Sequence, residues 1–382
     1  MKNLSNKEKL ICTIISHTPY SKSKNGDLMG LGPTVEEIDR LSKLFSQIYH
    51  FAPVDKSTPP LSFIKHSKSN IKVIPMIPTG GNSFFCKLKH IFLFPIHIFS
   101  MRPFLKKTDI LHFRAPTGFG VLFLPWAYFF WRKKIWIKYA GSWISNSVPI
   151  TYKFQRWILL HFSNNAKITI NNPVSKLGNN FFNFFNPCFD EKIININTEL
   201  VNKKDFTKGL DIVFVGRVEE NKGVNDLFKI FRKLGGMKNI KSIKIVGESN
   251  RLKYYKEQAR LSSPKISILG SLKRKDVFKI YSKSHILILL SKSEGFPKVI
   301  MEAGAFGCVP IVSNFHGVSE IINHGLEGFI MHQYKNHYNY HDFQLIFENS
   351  NSLKACSMNI FKKSHRFTYE QYLQNIKNAI LY

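Results

Sequence analysis

Acidic residues are scarce in this 382-residue chain: 25 Asp and Glu stand against 55 Lys and Arg, a formal charge of +30. The deficit is uneven. From Lys56 to Phe189 there is one acidic residue, Asp109, against eighteen Lys and Arg. Cysteine is sparse as well. Cys12, Cys86, Cys188, Cys308 and Cys356 are odd in number and have no close pair, so neither a disulfide framework nor a zinc site is indicated, and a reducing cytoplasm fits best. No Asp-x-Asp occurs, so the usual carboxylate pair for a divalent ion is missing. No Gly-x-Gly-x-x-Gly follows the first strand of either half, which argues against a dinucleotide oxidoreductase. No apolar run reaches the ~18 residues needed to span a bilayer. Residues 1–9 lack the apolar core of a leader peptide. There is no fixed-period repeat or low-complexity tract.

What is present is enough for two domains of about 150–200 residues, each able to bury a core. Residues 10–16 predict a first strand, and the Gly- and Lys-rich stretch 17–33 a loop. Thr34-Val-Glu-Glu37 has the form of a capping box, heading a helix with Val35, Ile38, Leu41, Leu44, Phe45 and Ile48 on its apolar face. Further strands are expected at 71–76, 110–113, 135–139 and 168–170. Residues 190–208, rich in Asn, Lys and acidic residues with little periodicity, suit a hinge. Beyond them the alternation is cleaner, with strands at 210–215, 240–246, 266–270, 285–290 and 309–313 and helical spacing between. Such a run predicts an α/β fold of two Rossmann-like doubly wound domains facing a cleft. The expected division is 1–190, a hinge at 191–209, 210–365, and a closing helix at 366–382 packing back on the first domain.

Two stretches combine aromatic and basic residues. One runs from Leu88 to Lys107; the other, from Phe119 to Lys138, contains Trp126, Trp131, Arg132, Lys133, Lys134 and Trp136. An anionic membrane surface is the functional reading; a compositional bias, with part of each stretch in the core, is the bland one.

The most informative segment is Ser-Lys-Ser-Glu-Gly-Phe-Pro-Lys-Val-Ile-Met-Glu at 291–302, directly after an apolar strand. Strand, tight turn and helix make an anion site, because unpaired N–H groups and the helix dipole point the same way. Lys298 and Val299 supply candidate N–H donors; Gly295 permits close approach or positive φ, and Phe296 and Pro297 fix the helix entry. Glu294 and Glu302 would repel a phosphate, so hydrogen bonding to hydroxyls is their expected work. A ligand with both diphosphate and hydroxyls is a nucleotide-sugar. Gly216, Arg217 and Lys222 end the second half's first strand, where a guanidinium fork and an ammonium can neutralise a diphosphate. As isolated surface cations beside Glu219 and Glu220, the same two would be unremarkable.

The second half resembles family 4 of the retaining glycosyltransferases, of bacterial surface-polysaccharide type. The resemblance is carried by Phe214-Val-Gly-Arg217 with Lys222-Gly223, Glu294-Gly-Phe-Pro with Glu302-Ala-Gly-Ala-Phe-Gly307, Pro310, and Gly317-Val-Ser-Glu320 with Gly328. It implies the GT-B fold, retention at the anomeric carbon, and neither metal nor cofactor. It also implies that Arg217 and Lys222 contact the donor diphosphate, Glu302 the ribose and Glu294 the transferred sugar. The first half matches less. Asp109-Ile-Leu-His-Phe-Arg114 and Lys138-Tyr-Ala-Gly-Ser-Trp143 look like strand ends of the acceptor side, but Tyr139-Ala-Gly stands where many members carry His-Asp. His17, His112 and His161 are substitutes only in principle.

The expectation is a hexosyltransferase, cytoplasmic and peripheral at the inner membrane face, acting on a saccharide or lipid-linked saccharide acceptor. A nucleotide-sugar epimerase of the same architecture is one alternative. A nucleic-acid-binding protein is another, disfavoured because the cations accompany Phe and Trp runs and no reader motif.

Overall fold

The computed structural model describes residues 10–60, 62–78, 84–141, 143, 148–162, 166–171, 177–234, 236–263 and 265–381. Residues 1–9, which carried the leader-peptide expectation, lie outside them. The chain divides into two units, Met1–Phe185 with Tyr372–Tyr382, and Asn186–Gln371.

The first unit runs β1 (Ile11–Ile15), β2 (Tyr20–Lys22), β3 (Leu28–Leu31), α1 (Gly32–Leu41), β4 (Gln47–Asp55), β5 (Phe63–Lys65), β6 (Ile71–Met76) and α2 (Phe84–Lys107). It continues through β7 (Ile110–Ala115), α3 (Gly120–Phe130), β8 (Lys134–Tyr139), α4 (Ile150–Leu160), β9 (Ala166–Ile170) and β10 (Phe181–Asn183). The sheet order is β10-β9-β8-β7-β1-β4-β2-β3-β5, with β6 also paired to β4. From β10 to β4 the pairing is parallel, while β3 is antiparallel to both β2 and β5.

Several local expectations give way here. The capping box does not form: α1 starts at Gly32, with Pro in its first turn, Leu31 as N-cap and no side-chain cap bond. Proline's preset φ suits that turn, so the helix begins ahead of Thr34. The expected loop 17–33 contains the β2–β3 pair. Leu44 and Phe45 lie beyond α1, and Ile48 is in β4, paired to β1 on one side and β6 on the other.

Glu37 is buried. Its Oε1 accepts from Arg114 at 2.7 Å, Lys138 at 2.8 Å and the Tyr372 hydroxyl at 3.1 Å. Burial works against the Arg114 cation, but Glu37 outweighs it and raises the guanidinium pKa. Tyr372, Leu373, Ile376 and Ile380 of the closing segment pack with Cys12, Ile14 and Trp136. Trp136, offered above as a membrane aromatic, is therefore core: it stacks on His112 at 3.7 Å and donates to Thr169 Oγ1.

The second unit contains α5 (Glu191–Lys203), β11 (Leu210–Val215), α6 (Val224–Leu234), β12 (Ile240–Val246), α7 (Leu252–Ser262), β13 (Ile266–Gly270), α8 (Arg274–Lys283) and β14 (Ile286–Leu289). There follow α9 (Lys298–Gly304), β15 (Val309–Ser313), α10 (Val318–Ile321), β16 (Phe329–Met331), β17 (Gln333–Tyr334), β18 (His337–Tyr338), α11 (Tyr340–Glu348) and α12 (Ser350–Ser364). Its main sheet is fully parallel, in the order β13-β12-β11-β14-β15-β16. The stretch read as an irregular hinge is mostly α5, which buries Ile194, Asn197 and Val201. Ile194, Asn197 and Val201 lie at i, i+3 and i+7, so an Asn stands on the helix's inner face, where its amide donates to Ala305 O. That polar residue masks the helical period.

Candidate active site

Strand order in the second sheet reverses between β11 and β14, whose flanks are β12 and β15. At such a switch point the loops leaving adjacent carboxyl ends diverge and open a crevice. The residues singled out in the sequence hang from these two strands. Gly216 and Arg217 follow β11, and Lys222 ends a single 3₁₀ turn, Glu220–Lys222. Glu294, Gly295 and Phe296 follow β14; Lys298, Val299 and Glu302 lie on α9, with Pro297 as its N-cap.

Glycine sets how closely the loops approach. Gly223 has φ +73°, and a Cβ there would sit 2.1 Å from Leu290 O. Only glycine lets the Lys222 turn lie against the end of β14. At Gly247 a Cβ would stand 1.7 Å from Gly216 O. Gly295 behaves otherwise than expected: its φ is outside the left-handed region and a Cβ would meet open space.

The approach pairs Lys222 with Glu294 at 2.7 Å, while Ser291 Oγ donates to the same carboxylate oxygen at 2.6 Å. A backbone bond from Lys292 N–H to Asn221 O at 2.9 Å ties the loops, and Lys292 meets Glu220 at 2.7 Å. Arg217 is not brought to Lys222; it pairs with Glu219 at 3.2 Å and is largely exposed. Phe296 stacks on Phe367 at 5.8 Å, which anchors the turn before α9. The N–H groups of Lys298 and Val299 precede the first bond of α9, from Ile300 N–H to Pro297 O, and head the helix.

Glu302 is held by a residue that sequence reasoning missed. Arg274, first residue of α8, lies 3.2 Å from Glu302 Oε1, donates to Cys188 O and places its guanidinium 5.1 Å from the Phe278 ring. The only signal for Arg274 was its position just past β13, another strand end on the same side of the sheet. Burial pushes the Cys188 thiol up to about 12, with Lys298 and Arg274 opposing and Glu302 adding. That thiol is no nucleophile at neutral pH. Tyr281 is raised well above its ordinary range by burial and then by Glu302, so it stays neutral.

A cavity of about 610 Å³ opens at the opposite ends of these strands, against Asp211 and His285. It lies away from the carboxyl ends and from all of the residues above. Among the described residues, no group of three or more His, Cys, Asp or Glu could hold a metal ion.

The histidines of the first unit are placed otherwise. His112 is buried, its Nδ1 on Trp136 O at 3.1 Å, and burial with Arg114 nearby holds its pKa well below 6.5. His17 lies near the His90 and Phe119 rings, and His161 is exposed with Nδ1 on Trp157 O.

The α/β architecture matches the GT-B fold of solved glycosyltransferase structures. The structure of a lipopolysaccharide outer core galactosyltransferase, WaaB, aligns with TM-score 0.63 at 17% identity over 97% of this chain and 99% of that one. Anabaena HepE in complex with UDP aligns with TM-score 0.64 at 14% identity over the same shares. Residues 197–363 match the family model of glycosyl transferases group 1, and this segment carries Gly216, Arg217, Lys222, Arg274, Glu294 and Glu302. An uncharacterized glycosyltransferase of Haemophilus influenzae is 32% identical over 143 residues, 37% of this chain and 40% of that protein. An uncharacterized 41.2 kDa protein in the cps region of Klebsiella pneumoniae is 24% identical over 208 residues, 53% of this chain and 52% of that one. The chain thus spans about half or less of the length of these curated relatives.

Proposed function

We propose that this protein is a retaining glycosyltransferase of family 4, moving a hexose-type unit from a nucleotide-diphosphate sugar to a hydroxyl of a saccharide acceptor. The carrying observation is the pair of split ion pairs around the β11/β14 switch point, Lys222–Glu294 and Arg274–Glu302. Each joins a cation to a carboxylate that a nucleotide-sugar can part: phosphate takes the cation, and sugar hydroxyls take the carboxylate. The two carboxylates are separated by seven intervening residues, Glu294 in a turn and Glu302 on α9, as the two ends of one extended ligand require.

In this reading Arg217 and Lys222 neutralise the leaving diphosphate, the N–H groups of Lys298 and Val299 bind its oxygens, and Gly216, Gly295 and Phe296 shape the wall. Glu302 accepts from the ribose hydroxyls and Glu294 from the transferred sugar. Stabilising charge as it grows on the departing diphosphate is the main source of rate, with no metal in the scheme. Exposed Arg217 is suited to meet an incoming phosphate.

An acceptor in surface-polysaccharide synthesis, lipid-linked and met at the cytoplasmic membrane face, is supported by the cps-region relative and by the first unit's surface. Phe92, Phe99, Phe129, Phe130 and Trp157 are all more than half exposed on α2, α3 and α4. Among the described residues no helix is long and apolar enough to cross a membrane. A panel of UDP-, GDP- and dTDP-sugars tested by thermal shift checks the donor site, because a ligand of the folded state raises Tm. The expected result is one responsive base, with Glu302→Ala abolishing the shift. No shift from any donor would defeat the assignment, and donor isomerised without acceptor would make the protein an epimerase.

A further inference from the structure

The first unit carries a second cavity, larger than that at the foot of the second sheet and of opposite character. It is a groove of about 830 Å³ between the second half of α2, the end of α3 and residues 131–133. Phe94, Ile98, Phe99, Trp126 and Phe130 form apolar walls, and Arg102, Lys106 and Arg132 rise at the margin. Lys133 donates to Lys106 O and Thr108 O, fastening the segment to the C-terminal end of α2. Phe99 and Phe130 are 75% and 70% exposed although they line a cavity, so their rings stand between groove and solvent. Neither helix nor residues 131–133 contain an acidic residue, and none is among the residues lining the groove.

We infer that this groove seats one acyl chain of an anionic phospholipid, with the headgroup phosphate against Arg102, Lys106 and Arg132. The chemistry selects this occupant on both counts. A pocket of this size with an apolar lining and a few placed polar groups is the usual form of a small-molecule site. An exclusively cationic margin adds the requirement for negative charge, and the absence of any carboxylate removes the repulsion an anionic headgroup would otherwise meet. Nucleic acid supplies phosphate but no hydrocarbon for the walls. One buried chain holds a protein at a membrane only marginally, and a chain combined with several cations is the pairing that anchors stably. The Phe rings flanking the groove can enter the same acyl boundary. The inference rests on the membrane-facing part of the proposed function and gives it a definite binding site; it is independent of donor chemistry.

Trp126 and Trp131 report on the groove directly. The full chain is mixed with phosphatidylglycerol vesicles brominated on the acyl chains, and tryptophan emission is followed. The expected result is a loss of emission that unbrominated vesicles do not produce, that weakens as salt rises, and that disappears in Trp126→Phe/Trp131→Phe while persisting in Trp157→Phe. Arg102→Glu/Lys106→Glu should lower vesicle binding with the melting curve unchanged. Brominated phosphatidylcholine should give little quenching. Quenching that survives the Trp126/Trp131 variant and vanishes in Trp157→Phe would overturn the inference, placing contact on α4. Equal response to phosphatidylcholine, or no vesicle binding, would overturn it as well. So would a doubled mass in light scattering without lipid that Phe99→Ser abolishes, since a second copy of the chain would then be the occupant. A donor thermal shift on the same sample separates the two readings: a responsive donor without quenching removes the groove and leaves the transferase.

Discussion

The ion pairs of the two units use the same residue types to opposite ends. In the first unit, Glu37, Lys138 and Arg114 are 3%, 4% and 14% exposed, and one carboxylate serves both cations. In the second, Lys222, Glu294, Arg274 and Glu302 are 20%, 11%, 36% and 15% exposed, in separate pairs at strand ends. Burial makes the first set architecture: parting it strands charge where water cannot reach. Position at the strand ends makes the second set exchangeable, because a ligand in the crevice can offer each group a new partner. The lesson is that an ion pair's work is set by what can replace it.

The comparison can be broken most sharply at Glu37. Glu37→Ala removes the carboxylate that Arg114 and Lys138 share, and breaking a buried ion pair typically costs about 3–5 kcal/mol. Denaturant unfolding should show it, while Lys222→Ala, which leaves Glu294 its bond from Ser291, should cost clearly less. Equal stability losses would erase the distinction. Turnover should run the other way. Lys222→Ala is expected to lower kcat by about 10²-fold, the scale of losing one charge-stabilising group in a transition state. Steady-state kinetics at the wild-type rate would remove Lys222 from diphosphate neutralisation.

A smaller effect is expected at Arg274, which holds Glu302 before donor binds and turns to the donor as the pair parts. Arg274→Ala should weaken donor binding about tenfold, about 1.4 kcal/mol, with kcat at saturating donor little changed and Arg274→Lys restoring part of the affinity. Titration calorimetry reads this split, and a loss confined to kcat would contradict a role in donor binding. The smallest effect concerns pH. Burial, aided by neighbouring cations, holds His50 and His112 well below 6.5. The unfolded chain takes up protons there that the folded chain refuses, so this stability is full above pH 6.5 and is lost as pH falls below it. Melting between pH 7 and 5 should show a declining Tm, with at most about 1.4 kcal/mol per pH unit from each histidine. His112→Asn should flatten that slope; an unchanged slope would exclude His112 as a source.

Legibility in the sequence followed the same division. The strands of the second sheet are short, with β14 and β15 apolar but for Ser313 and buried throughout, and their order along the chain is their rhythm in the fold. Glu294, Glu302 and Lys222 stood out because strand ends in such a sheet are where side chains meet ligands. Arg274 did not, since its link to Glu302 spans 28 residues and one further strand. In the first unit, Leu44, Phe45 and Ile48 continue the helical spacing of α1 by coincidence, which hid β4; Gly32-Pro33 started the helix ahead of a plausible cap. Trp126, Trp131 and Trp136 look alike in sequence, yet the first two face a groove and the third is fully buried against His112. Only strand pairing, a non-local fact, decides that.

The most direct measurement is a crystal structure of the protein with the nucleotide-sugar that raises its Tm. The account predicts the diphosphate against Lys222 and Arg217, with both ribose hydroxyls within hydrogen-bond reach of Glu302. A diphosphate bound elsewhere, with Lys222 still on Glu294 and Glu302 still on Arg274, would contradict it.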